Sequence, residues 1–177
     1  MKFINTSNFS FKKNEYTKLI LYIVLMFLIF TNFSQEKNVF LDRNFWKQNP
    51  SIEKIDSCID LGNDISELNN YKFDPICWAI LQEVKNSTIQ HLLSKKGNEV
   101  NKKTHDGRTY IFWAAYKDNI DLMNYLIEKG AELDIIDSHG YSLINFAATT
   151  GQLNQQIYDL CLTNGADITK QLNNDAA

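Results

Sequence analysis

The chain has 177 residues, 44 % of them hydrophobic and 22 % charged, with a formal net charge of -3. That length accommodates one domain with one sizeable core. Without residues 1–34 it keeps 14 basic and 20 acidic side chains, a balance that argues against nucleic-acid binding, which needs a cationic face to displace counterions from phosphates.

The first predicted element is the run "LILYIVLMFLIF" at 19–30, preceded by Lys12, Lys13 and Lys18 and followed by the polar "TNFSQEKN". Twelve helical residues reach about 18 Å, short of the roughly 30 Å hydrocarbon core of a bilayer. A basic flank, a short apolar run and a small residue at Ser34 predict a signal peptide over 1–34, hence an exported bacterial protein of the periplasm or the outside. The alternative is a membrane anchor through residues 19–30. No cysteine directly follows the run, which argues against a lipid-anchored lipoprotein.

Four repeating units follow over 36–172, predicted at about 36–68, 69–101, 102–134 and 135–170, with a frayed tail at 173–177. Gly107 and Gly140 are 33 residues apart, and so are Gly97 and Gly130. "DGRTYIFWAAYKDNIDLMNYLIEKGAELD" from 106 lies over "HGYSLINFAATTGQLNQQIYDLCLTNGADIT" from 139. Upstream, "DPICWAI" at 74–80 meets "TYIFWAA" at 109–115, with two extra residues predicted near Glu83 to Lys85. A worn first copy, "NFWKQNPSIEKIDSCIDLGNDI" from 44, ends on Gly62. Gly62, Gly97, Gly130 and Gly165 each stand where a helix stops and a left-handed residue is needed. Within a unit, Ile111, Ala114 and Ala115 form one face of a short first helix, and Leu122, Met123, Leu126 and Ile127 an apolar stripe on a second. One such pair cannot bury both faces; stacked pairs can, which makes a solenoid. The outer faces of the end units are expected to be polar, with Lys47, Gln48 and Glu53 at one end and Gln152, Asn154, Gln155 and Gln156 at the other.

These residues resemble the ankyrin repeat, whose 33-residue pattern runs D-x-x-G-x-T-P-L-H-x-A-A-x-x-G and then V-x-x-L-L-x-x-G-A. "HDGRTYIFWAAYKDNIDLMNYLIEKGAELD" matches it well and "SHGYSLINFAATTGQ…GAD" nearly as well. Proline survives only at Pro75, and the family's histidine is replaced by Cys77, Phe112 and Asn145. That histidine ordinarily ties neighbouring turns together, so its loss bears on turn rigidity. The resemblance implies an all-α helical solenoid of about four helix-turn-helix units.

Catalytic chemistry finds no foothold. There is no nucleophile elbow, phosphate-cradling loop or HExxH; no catalytic, cofactor or metal residue is assigned, and the chain is expected not to be an enzyme. His91 is expected to be solvated. His105 and His139 fall in adjacent turns, and units stacked roughly 10 Å apart place them too far apart for one metal. A metal-binding or enzymatic protein using these histidines is the alternative of a different class.

What the resemblance implies is a protein-binding surface made of turn tips and first helices, the concave face of the family. Carried onto this chain, the partner-binding candidates are Tyr71, Phe73, Leu81, His105, Arg108, Tyr116, Lys117, His139 and Tyr141, facing an unidentified protein partner of a monomeric module that binds neither nucleic acid nor, after signal cleavage, a membrane. Aromatics and arginine dominate interface energetics, which favours binding over the alternative that some of them, notably Phe73 and Tyr141, pack on neighbouring turns. A second reading of the same class is an immunity-type inhibitor of a secreted toxin, whose basic surface would suit the acidic chain. Trp46, Trp78 and Trp113 are expected in the core. Cys58 and Cys161 lie four residues before Gly62 and Gly165, as Leu93 and Leu126 do before Gly97 and Gly130, so three free, buried thiols are expected.

Overall fold

A computed structural model describes residues 16–25, 37–167 and 169. The chain divides into two compact units, Met1–Lys37 and Asn38–Ala177. In the first, helix α1 spans residues 16–25, and its large apolar side chains from Tyr16 to Leu25 are all exposed. Among the described residues no helix is long and apolar enough to cross a membrane. Ser34 at the expected cut site, residues 26–30 of the apolar run and the tail at 173–177 lie outside the described residues.

The second unit is four stacked helix pairs. The first helices are α2 (Arg43–Lys47), α4 (Pro75–Leu81), α6 (Tyr110–Tyr116) and α8 (Leu143–Thr149); the second are α3 (Ile52–Asp60), α5 (Asn86–Leu93), α7 (Ile120–Glu128) and α9 (Gln155–Thr163). The starts are local chemistry. Asp74 and Ser142 cap α4 and α8 by accepting from the backbone N–H groups of Cys77 and Asn145, and Pro75 opens α4 where its missing N–H costs nothing. Thr109 stands at the same place before α6, but its buried hydroxyl has no hydrogen-bond partner. The residue one turn into that helix is Phe112, fully buried against Phe146 with ring centroids 5.6 Å apart. Apolar packing here replaces a polar contact.

Each pair turns on a left-handed residue two positions past its first helix: Asn49, Glu83, Asp118 and Gly151, with φ between 48° and 84°. Only the last is glycine, so three units hold a non-glycine residue in a conformation that costs roughly 1 kcal/mol.

The core runs the length of the stack. Ile111, Ala114 and Ala115 of α6 and Leu122, Met123 and Leu126 of α7 are fully buried, and the first helices pack on one another in order. Trp46 and Trp113 are buried; Trp46 donates its indole N–H to the Phe40 carbonyl at 2.7 Å. Trp78 departs from expectation and is only half-buried. Its ring is in contact with Phe73 and Arg43.

Two register expectations also change. In α5 the buried leucine is Leu92, not Leu93. One of the two extra residues of this unit lies before α5 and the other in the turn after it, where the Leu92 carbonyl accepts from the Asn98 side chain instead of from a backbone N–H five residues on, as Leu126 does from Ala131. Burial sets the helix register and the turn absorbs the slip. His91 is not free in solvent: its Nε2 lies 2.9 Å from Asp56 Oδ1 of the preceding unit, with Lys95 Nζ 2.8 Å from the same oxygen. These two partners hold the exposed Asp56 carboxyl below its ordinary range, Lys95 contributing most. At the last unit, Gln155 and Gln156 are exposed, whereas Gln152 and Asn154 turn back to bond Tyr116 O and Asp118 of the third unit.

All three cysteines are free and buried. Burial and the adjacent Asp74 carboxylate push the Cys77 thiol well up, and burial raises Cys161 to about 11. Native protein at neutral pH is therefore expected to react with a thiol reagent at least tenfold more slowly than unfolded protein, because thiolate and access are both scarce. Stopped-flow titration with and without denaturant measures the ratio.

Candidate protein-binding face

The turns preceding the first helices form fingers, and hydrogen bonds link them despite the sequence departures at the histidine position. Polar ties run from unit to unit. His105 Nδ1 lies 2.8 Å from the Tyr71 carbonyl oxygen, Ser138 N donates to the Asp106 carbonyl at 2.8 Å, and Asn101 bonds Gly130 O and Glu132 N. On the opposite edge Asn86 and Asn119 exchange side-chain hydrogen bonds at 3.0 and 2.8 Å.

Two ties are ionic and buried. Asp74, with no exposure, accepts from the Tyr110 hydroxyl at 2.6 Å and pairs with Lys102 Nζ at 3.0 Å. Burial and that carboxylate push the Tyr110 hydroxyl far above its ordinary range, so it stays a donor. Arg108 reaches Asp137 of the next unit through Nε and Nη2, both at 2.8 Å, and Asp106 through Nη1 at 3.1 Å. Its guanidinium also lies 4.4 Å from the Phe146 ring centroid. Arg108 was a binding candidate; its contacts are internal.

Three of the candidates, Phe73, His105 and Tyr116, form a continuous ribbon with Trp78, Trp113 and Phe146. Phe73 stacks on Trp78 at 4.6 Å and on His105 at 4.3 Å, His105 faces Trp113, Trp113 meets Phe146 edge-on, and Tyr116 lies 6.2 Å from Phe146. Tyr71 is 73 % and Tyr116 43 % exposed. Phe73, Leu81 and Tyr141 are half-buried and pack on the core. Lys117 pairs with Glu83 at 3.1 Å. The side chain of His139 is 57 % exposed, with Nε2 3.1 Å from Asp106 Oδ2.

His105 Nε2 comes within 3.4 Å of the same Asp106 oxygen. The two imidazoles thus converge on one carboxylate, closer than the unit spacing alone implies, because the finger carries Asp106 between them. Among the described residues no group of three or more histidine, cysteine or acidic side chains is arranged to hold a metal. Arg43 was absent from the sequence candidates. It lies 5.9 Å from the Trp78 ring centroid and extends the ribbon into the first unit, a position hidden in the sequence by the wear of that unit.

A stack of helix pairs with fingers and first helices along one side defines a helical-repeat scaffold of the kind that binds other proteins. A family model for ankyrin repeats, in three copies, matches residues 76–171, more than half of the chain. The chain belongs to the ankyrin repeat family. It is also similar to the fowlpox virus (strain NVSL) ankyrin repeat protein FPV034, with 26 % identity over 132 residues. That alignment takes in 65 % of this chain and 30 % of the viral protein, so the chain spans less than a third of its relative. Ankyrin repeats are protein-protein interaction modules, and the family is in general non-catalytic.

Proposed function

We propose that this chain is a non-catalytic, exported, monomeric module that holds a protein partner against its fingers and first helices. The observation that carries this reading is the exposure of Tyr71 and Tyr116; Tyr116 ends a ribbon of ring contacts, and the Tyr71 backbone is tied to that ribbon through His105. Rigid, amphipathic aromatics lose little conformational entropy on binding. The ionic ties beneath them keep the fingers in one arrangement, which lowers the ordering cost of association. The basic flank and apolar run at the N-terminus support export, with the mature chain starting after Ser34.

The test is affinity purification of tagged full-length protein from the cell envelope and medium. Tyr71→Ala and Tyr116→Ala combined should lower recovery of the principal co-purifying protein at least tenfold while leaving the melting temperature within a few degrees. Unchanged recovery would show that the face is elsewhere. N-terminal sequencing of the same preparation reads the cleavage point, and an intact Met1 would remove the cleaved-signal reading in favour of an anchor through residues 19–30.

A further inference from the structure

The acidic net charge is unevenly distributed over the repeat stack. Fingers and first helices (38–48, 68–82, 101–117 and 135–150) carry seven lysine and arginine side chains against four carboxylates. The second helices with their flanking loops (49–67, 83–100, 118–134 and 151–167) carry five against fourteen. The finger and first-helix segments are thus net cationic and the second-helix segments strongly anionic, the two meeting where Lys117 pairs with Glu83.

Pairing decides which of these charges stay available. Two of the four carboxylates on the finger side, Asp74 and Asp137, are buried and face Lys102 and Arg108. A third, Asp106, takes Arg108 and the two histidines; the fourth, Asp42, caps α2. The cations Arg43, Lys72 and Lys103 are exposed and form no ion pair among the described residues. Their places follow the ribbon: Arg43 over Trp78, Lys72 beside the exposed Tyr71, and Lys103 two residues before His105, which is bonded to Tyr71 O.

We infer that the partner segment seated on this face is an acidic stretch of polypeptide, although the chain as a whole is itself acidic. This rests on the proposed binding face and names the chemistry it selects. Unpaired cations attract carboxylates, and the exposed tyrosines offer apolar ring surface to the chain that bears them. The anionic second-helix side repels the same segment, so it orients the encounter. The negative charge that would suit a basic toxin lies on the second-helix side, away from these tyrosines.

The probes are fluorescein-labelled oligo-glutamate and oligo-lysine peptides of equal length, titrated against the full chain by fluorescence anisotropy. Oligo-glutamate should bind and weaken severalfold as ionic strength rises to about 0.15 M, where the Debye length is about 8 Å. Combined Arg43→Glu, Lys72→Glu and Lys103→Glu should weaken it about tenfold or more. Combined Asp60→Lys and Glu128→Lys, on the second-helix side, should leave it within about twofold, and circular dichroism on both variants checks the fold. Failure of oligo-glutamate to bind, or equal binding by the triple variant, overturns the inference. Preferential binding of oligo-lysine that is lost with Tyr71→Ala and Tyr116→Ala overturns the acidic class while leaving the binding face standing.

Discussion

Replacing Asp74 with alanine is expected to cost about 3–5 kcal/mol, the range for removing one partner of a buried ion pair. The carboxylate has no exposure and makes three interactions: it caps α4 through Cys77 N at 2.9 Å, accepts from the Tyr110 hydroxyl and neutralises Lys102. Without it, the Lys102 ammonium, whose side chain is 15 % exposed, keeps only neutral acceptors at Ser66 O and Asn98, and α4 loses its side-chain cap, worth about 1 kcal/mol. Tyr110→Phe removes one bond to a charged acceptor and leaves the ion pair, so about 1.5–3 kcal/mol is expected there. Urea unfolding of both variants at unchanged m-value checks the order. Equal losses would mean that Lys102 finds full compensation in solvent.

Arg108→Ala is the second large effect, about 3 kcal/mol, because Asp137 is buried and would keep only the backbone N–H groups of His139 and Tyr141. The guanidinium also covers the Phe146 ring, a contact worth roughly 0.5–2 kcal/mol when desolvated. Arg108→Lys should recover less than half of the loss, since an ammonium cannot make the two-nitrogen contact with Asp137 or lie flat on the ring. Arg108→Ala combined with Asp137→Ala should be less destabilised than the sum of the single changes, because no unpaired charge stays buried. Additivity in that cycle would place the contribution of Arg108 in its ring contact.

Legibility followed the physics of each feature. The helix pairs could be read because burial repeats at helical spacing and because glycine is the residue that most readily takes the left-handed conformation at a helix end, as Gly130 with φ 87° does. The matching left-handed positions at Asn49, Glu83 and Asp118 carried a weaker signal, since asparagine and aspartate favour that conformation far less than glycine, and glutamate does not favour it. The slip between Leu92 and Leu93 escaped for a related reason: adjacent leucines offer two registers, and only the neighbouring helices choose.

Of the candidate face, residue types and positions could be read but not occupation. Arg108 and Tyr71 look alike as surface candidates in sequence. Arg108 is used internally because Asp137, 29 residues on, is brought to 2.8 Å from it, whereas Tyr71 stays 73 % exposed. By itself the sequence determined the period, the helix pairing and the burial of most of the apolar stripe, all of which depend on spacing within a few turns of chain. The tertiary structure alone decided which polar groups pair across units, that Trp78 stays half-covered beneath Arg43, and which cations remain unpaired on the finger side. Those outcomes depend on distances between residues about one repeat apart, which the stacking of the units sets and local spacing does not encode.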